Sequence, residues 1–362
     1  MEHPAPGALP AGGSPPGIMT DRAPGFAPPA VVPTITDILR ARIFLAPRVR
    51  RTPLEPSPVL SELVGVPVFL KCENLQRCGS FKIRGSLYRM EHLSPEERRR
   101  GVVTASSGNH GQGVALAAAT LGVAATVVVP QSCPETKRAA ILHRGKAWVE
   151  LRVTEGLYDD AEREAHRLAE QEGRCYISSF EDRFVAAGAG TVGWEILEEE
   201  PALGALVSPL GGGGLLSGIA VASRALGPGM ALWGVTARAN PCWARAWDRG
   251  RMEPVEDEKE SLAEGLAGTG SPRLYPFLRE HLAGVRSVTE DEIARAMALL
   301  HRAHHLVVEG AGAVGVAALL TGVIPLSGPV AVVLTGGNVD EEPFLEALKR
   351  GTKRQRAEGG LA

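Results

Sequence analysis

The sequence predicts an α/β protein with two lobes, each an open, twisted, mostly parallel sheet flanked by helices. Three observations point there. Short apolar segments such as "GVVTAS", "AATVVVP" and "PVAVVLTG" alternate with longer amphipathic segments, the pattern of strand–helix units whose sheets are covered on both faces. Glycine-rich turns stand where such a strand passes into a helix, as in "ALVSPLGGGGLLSG". The chain, at 362 residues and 44% hydrophobic, is long enough for two lobes with real cores.

The elements follow in order. "TITDILRARIFLA" opens on a capping Thr or Asp and has helical apolar spacing. "VPVFLKCE" reads as a short strand. "GVVTAS" leads into the helix "HGQGVALAAATLG", "AATVVVP" into "PETKRAAILHRG", and "AWVELRV" into "LYDDAEREAHRLAEQEG". "ALVSPL" leads into "LLSGIAVASRALG", followed by the strand "ALWGVTA" and the charged loop "GRMEPVEDEKESLAEG". The helices "DEIARAMALLHRAHH" and "AGAVGVAALLTG" precede the last strand, "PVAVVLTG". No repeat recurs at a fixed period.

Composition removes several classes. A formal net charge of -2 gives no reason to expect nucleic acid, and the basic tail "LKRGTKRQRAEGG" reads as a solvated helix end. The apolar run "VALAAATLGVAATVVVP" is a helix then a strand, not a membrane span. The five cysteines are odd in number, without C-x-x-C or zinc spacing, so they read as reduced thiols of a cytoplasmic protein. The Pro/Gly/Ala-rich start lacks the apolar core of a signal peptide and reads as a disordered tail.

Candidate chemistry begins with Lys82 in "NLQRCGSFKIRGS". A lysine placed between Gly-Ser-Phe and a helix start is buried at a cost unless it is paired or chemically used. Gly211 to Gly214 follow a core strand and open a helix, so their N–H groups and the helix start form an anion site suited to phosphate. No Gly-Lys-Ser/Thr follows, which excludes a Walker loop. "TASSGNHGQG", Thr104 to Gly113, sets hydroxyls, an amide and an imidazole over free N–H groups, which suits a carboxylate or is an ordinary N-cap. Thr335 in "VVLTGGNVD" offers a hydroxyl at a strand end, where open α/β sheets bind ligands. "GAGTVG" (Gly188 to Gly193) and "GAGAVG" (Gly310 to Gly315) match the dinucleotide pattern but lack the acid a ribose needs. Small residues at tight helix starts explain both.

A reactive lysine, a phosphate cradle, a carboxylate cradle and a strand-end hydroxyl suit pyridoxal 5′-phosphate. From about Thr34 to Asp340 the chain resembles the threonine/serine dehydratase family of fold-type II (tryptophan synthase β-like) pyridoxal-phosphate enzymes, including its serine racemase branch. The matching segments are "KCENLQRCGSFKIRG", "ASSGNHGQGVA", "VVVPQSCPETK", "VAAGAGTVGWEI", "PLGGGGLLSGIA", "SLAEGLAG", "EGAGAVGVAAL" and "LTGGNVD".

The resemblance implies the following roles. Lys82 is the Schiff-base lysine and general base, and Phe81 packs against the pyridine ring. Asn109 meets the phenolic oxygen, Gly211, Gly212, Gly213 and Gly214 hold the phosphate, and Thr335 meets the ring nitrogen. Glu309 lies near the ring. Ser106, Ser107, Gly108, Asn109 and His110 hold the substrate carboxylate. Ser107 also matches the second acid–base group of the racemase branch, while Phe180 looks dehydratase-like. The chain departs from the common pattern with Cys78 in place of a frequent threonine and Glu264 in place of a frequent aspartate. Thr236 and Cys242 stand where some relatives carry a cation's acidic ligands, so no metal site is expected.

The expected domains are a disordered tail 1–33, a large cofactor-binding domain of 34–99 and 179–350, a small mobile domain 100–178, and a flexible tail 351–362. Too little follows "TGGNVD" for a regulatory domain, so isoleucine-type control is not expected. The expected activity is L-threonine/L-serine ammonia-lyase in a homodimer or homotetramer, with no nucleic-acid or membrane partner. The alternatives are a serine racemase, a dehydratase of another 3-hydroxy amino acid, or a non-catalytic cofactor-binding regulatory protein.

Overall fold

The structure, a computed structural model, describes residues 31–253 and 259–357. Ten strands occur among them: β1 (Leu54–Pro56), β2 (Val68–Lys71), β3 (Val102–Ala105), β4 (Ala125–Pro130), β5 (Val149–Thr154), β6 (Cys175–Tyr176), β7 (Ala205–Pro209), β8 (Ala231–Ala237), β9 (Gly284–Val288) and β10 (Val330–Val333). They form one sheet in the order β1-β2-β10-β7-β8-β9 and a second in the order β5-β4-β3-β6. Among these strands only β1 runs antiparallel to its neighbour. The expected two-lobed α/β architecture is therefore present.

Period-two alternation explains why the larger sheet is buried on both faces. Val68, Leu70, Val207, Val330 and Val332 join one core, while Leu206, Ala331 and Val333 join the core on the opposite face. No helix among the described residues is long and apolar enough to cross a membrane, and none of the five cysteines is in a disulfide.

The two dinucleotide-like matches have packing roles. Gly188 to Gly193 lie inside the helix Arg183–Glu199, not at a helix start. A Cβ on Gly188 would come within 2.4 Å of the Arg84 carbonyl, and one on Gly190 within 2.9 Å of the Gly218 carbonyl. Those glycines let three helices approach closely. Gly310 to Gly315 do open a helix, Gly310–Leu320.

A buried charge network ties the helix Lys82–Glu91 to this scaffold. Arg84 pairs with Glu73 at 2.7 Å and with Glu195 at 2.6 Å, and Lys71 pairs with Glu195 at 2.7 Å. Lys71 also donates to the Thr52 carbonyl at 2.6 Å. Two cations thus face two carboxylates, which is how buried charge is tolerated.

Both expected tails are shorter than the sequence reading. Val31 and Val32 are buried in the core, so packing begins before residue 34. At the other end the helix Glu341–Ala357 runs through most of the expected flexible segment, with Gly351 packed against the Ala294 carbonyl. The rest of both expected tails, 1–30 and 358–362, lies outside the described residues, as does 254–258 of the charged loop.

Candidate active site

The site is built where strand ends from the two sheets meet. β10 is followed directly by Leu334 and Thr335, whose carbonyls accept from Asn74 N at 3.0 Å and Phe81 N at 3.1 Å. An isolated bridge between Ser80 and Gly336 completes this junction. Phe81 is the N-cap of the helix Lys82–Glu91, so the backbone that places Lys82 is pinned to the end of β10. β3 ends in the Ser106–His110 loop, and the helix Asn109–Leu121 that follows packs on Lys82. A Cβ on Gly113 would lie 3.1 Å from the Lys82 carbonyl carbon.

Lys82 Nζ donates to the Ser179 carbonyl at 2.9 Å and lies 5.2 Å from the centroid of the Phe81 ring. The contrast with Lys71 is chemical. Lys71 meets a carboxylate, whereas the Lys82 amine meets a neutral carbonyl. Burial lowers its pKa to about 8, opposed by the nearby Glu309. An amine with that pKa is a competent nucleophile and base near neutral pH.

A hydrogen-bonded chain runs behind it. Asn338 Nδ2 donates to Asn109 Oδ1 at 2.7 Å and to the Cys78 carbonyl at 2.8 Å, and Asn109 Nδ2 donates to Glu309 Oε1 at 2.7 Å. Asn338 thus sets which way the Asn109 amide faces. Burial raises the Glu309 pKa to about 7, against the lowering effects of the Asn109 bond and of Lys137. A Cβ on Gly336 would come within 2.4 Å of Glu309 Oε1, so this glycine is required by the close approach.

Gly211–Gly214 follow β7 and open the helix Gly214–Leu226. Gly213 has φ +101°, a left-handed conformation. Added Cβ atoms on Gly212 and Gly214 would lie 2.2 Å from the Phe180 ring and 2.9 Å from the Phe180 backbone. Phe180 is therefore the inner neighbour of the turn, and it directly follows the carbonyl that receives Lys82.

The Ser106–His110 loop departs from expectation at two points. The helix N-cap is Gly108, without a side-chain cap bond, so Ser107 does not cap it. Ser106 Oγ accepts from Gly108 N at 3.3 Å, and Ser107 is half-buried beside it. The His110 imidazole is buried with Nε2 3.0 Å from the Ile177 carbonyl, and burial together with Lys82 lowers its pKa to about 3. The imidazole is turned into the protein, toward Ile177.

The sequence reading missed Asn338 and Ser179 as site-building residues. It also missed the 2.6 Å ion pair between Lys137 and Glu264, which joins the helix Glu135–Gly145 to the loop before Leu266. Asn338 lies in "VVLTGGNVD", where only the Thr335 hydroxyl stands out by type. Ser179 acts through its carbonyl, which carries no side-chain signal.

The site fits pyridoxal phosphate. It combines a glycine turn with no room for side chains, a lysine amine held near pKa 8, an amide aligned by a second amide, and the buried Thr335 at a strand end. The chain is 41% identical over 319 residues to an L-threonine ammonia-lyase of Thermotoga maritima, covering 88% of this chain and 79% of that protein. The crystal structure of a threonine deaminase from T.th. matches with a TM-score of 0.79 at 37% identity, covering 85% of this chain and 99% of that one. The structure of maize serine racemase matches with a TM-score of 0.83 at 29% identity, covering 90% and 99%. The family model described as pyridoxal-phosphate dependent enzyme matches residues 45–336, and the chain belongs to that family.

Proposed function

We propose that the protein is an ammonia-lyase that converts L-threonine, L-serine or both to 2-oxobutanoate or pyruvate plus ammonia. The observation that carries this reading is the Lys82 amine, held at pKa about 8 and donating to the Ser179 carbonyl at 2.9 Å, next to the Phe180 that packs on the glycine turn. Bound pyridoxal phosphate supplies the electron sink that makes the substrate Cα–H bond acidic. Gly211–Gly214 hold its phosphate, Asn109 its phenolic oxygen, and Thr335 its ring nitrogen. A hydroxyl at that nitrogen does not deliver a full positive charge, which favours elimination over transamination. Backbone N–H groups of the Ser106–His110 loop hold the substrate carboxylate. Lys82 Nζ would take the Cα proton and pass it to the β-hydroxyl, which leaves as water, and hydrolysis of the released enamine gives the 2-oxo acid and ammonia.

The threonine ammonia-lyase similarity supports this choice. Serine racemase is the second reading, favoured by Ser107, whose hydroxyl is free of helix capping. We further propose that 100–178 moves as a unit against 34–99 with 179–350, and that the enzyme is cytoplasmic and assembles as a homodimer or homotetramer. Leu39 and Ile43, exposed at i,i+4 on one helix, support assembly. A panel of L- and D-3-hydroxy amino acids, assayed for 2-oxo acid and for inversion, tests the activity. Turnover of threonine or serine to 2-oxo acid is expected, and no turnover of any member would overturn it.

A further inference from the structure

Asn240 lies just beyond β8 and is 5% exposed. Its Nδ2 donates to the Leu266 carbonyl at 2.5 Å and to the Gly268 carbonyl at 3.1 Å. A side-chain amide has two N–H donors, so both are committed to this one loop. The rest of Asn240 is fixed to the end of β8. Its backbone N–H donates to the Ala237 carbonyl at 3.0 Å, and its carbonyl accepts from Thr236 Oγ1 at 3.2 Å.

The loop that Asn240 holds is the outer wall of the glycine turn. A Cβ on Gly211 would lie 3.3 Å from Leu266 Cα, and Ser271 N donates to the Gly212 carbonyl at 3.3 Å. Trp243 Nε1, on the helix that starts just after Asn240, donates to the Gly211 carbonyl. A trans peptide plane puts its C=O and the following N–H on opposite sides. Donors on the wall that capture the Gly211 and Gly212 carbonyls therefore aim the Gly212 and Gly213 N–H groups away from the wall.

We propose that Asn240 is a positioning residue of the phosphate cradle: by tying the Leu266 and Gly268 carbonyls to β8, it holds the wall that orients the Gly212 and Gly213 N–H groups. This rests on the reading of Gly211–Gly214 as the phosphate site. Removing the amide takes the donor from the buried Leu266 carbonyl and unties the part-buried Gly268 carbonyl from β8. In Asn240→Asp a carboxylate faces them instead, and three hard oxygens then form a partial ligand set for a divalent cation.

The test titrates apoenzyme with pyridoxal phosphate and, separately, with pyridoxal, following the absorbance of the bound cofactor. In chelator, Asn240→Asp and Asn240→Leu should weaken pyridoxal phosphate roughly tenfold or more, while pyridoxal shifts by less than about twofold. Magnesium or calcium should restore Asn240→Asp and leave Asn240→Leu unchanged. Trp243→Phe, which removes one wall donor, should also weaken the phosphate ester selectively. Wild-type affinity in the Asn240 variants, equal loss for both ligands, or cation rescue of both variants or of neither would overturn the proposal. Gly212→Ala separates the two layers. If it weakens pyridoxal phosphate selectively while the Asn240 variants do not, only the role of Asn240 falls. If it has no selective effect, the cradle reading falls too.

Discussion

Replacing Gly212 by Ala places a Cβ 2.2 Å from both Cγ and Cδ1 of Phe180. The half-buried ring must retreat by roughly an ångström to reach ordinary contact, against neighbours already in close contact. Overpacking of this kind costs about 1–3 kcal/mol. Phe180 packs directly against the glycine turn, so the strain falls on the phosphate cradle. If that cost is taken from the bound state, cofactor affinity falls about 5- to 150-fold. Equilibrium titration of apoenzyme, read by cofactor absorbance, measures it directly. Phe180→Ala in the Gly212→Ala background removes the clash and should recover part of the loss. Wild-type affinity in Gly212→Ala, or a double variant as weak as the single one, would refute the reasoning.

The remaining predictions concern charge and stereochemistry. With the Lys82 pKa lowered to about 8 from an ordinary 10.5, the rate of cofactor capture by apoenzyme should rise with pH and level off above about 8, falling about tenfold per pH unit below it. A curve still rising at pH 10 would show an unperturbed amine. The folded state also binds fewer protons than the unfolded state between pH 8 and 10.5, so stability carried by this group rises with pH across that window. Lys82→Met should therefore stabilise the apo fold at pH 7 more than at pH 10.5, read as the shift in Tm. Arg84→Leu leaves Glu73 unpaired and Glu195 with Lys71 alone, so chemical denaturation should show a loss of about 3–5 kcal/mol; a loss under about 1 kcal/mol would show the network is dispensable. Ser107→Ala should abolish serine inversion while pyruvate release persists. Equal loss of both activities, or no inversion in the wild type, would reduce Ser107 to positioning.

The legible parts of the fold were those with strong local patterns. β3, β4 and β10 are short, largely apolar runs flanked by glycine or proline, and Thr34 caps the first helix, where the sequence places a capping Thr or Asp. β1, β6 and β9 escaped notice because they are three residues with a proline, two residues, and the mixed "GVRSV" of a sheet edge. Within the site, side chains that bear chemistry were legible and the groups that aim them were not. Lys82 and the glycine turn announce themselves by composition. The Ser179 carbonyl, the Asn338 amide and the inward turn of His110 depend on contacts across the fold, with Asn338 meeting Asn109 over 229 residues of sequence. Burial cost, which lowers Lys82 and raises Glu309, likewise exists only once both sheets are assembled.

The account stands on one lysine carrying the cofactor. Reduction of the pyridoxal-phosphate-loaded enzyme with borohydride, followed by peptide mapping, reads that lysine directly. The predicted result is a single pyridoxyl adduct in the peptide containing "GSFKIRG", on Lys82, with no adduct and no elimination activity in Lys82→Ala. An adduct on Lys71, Lys137 or any other lysine of the wild type would contradict it.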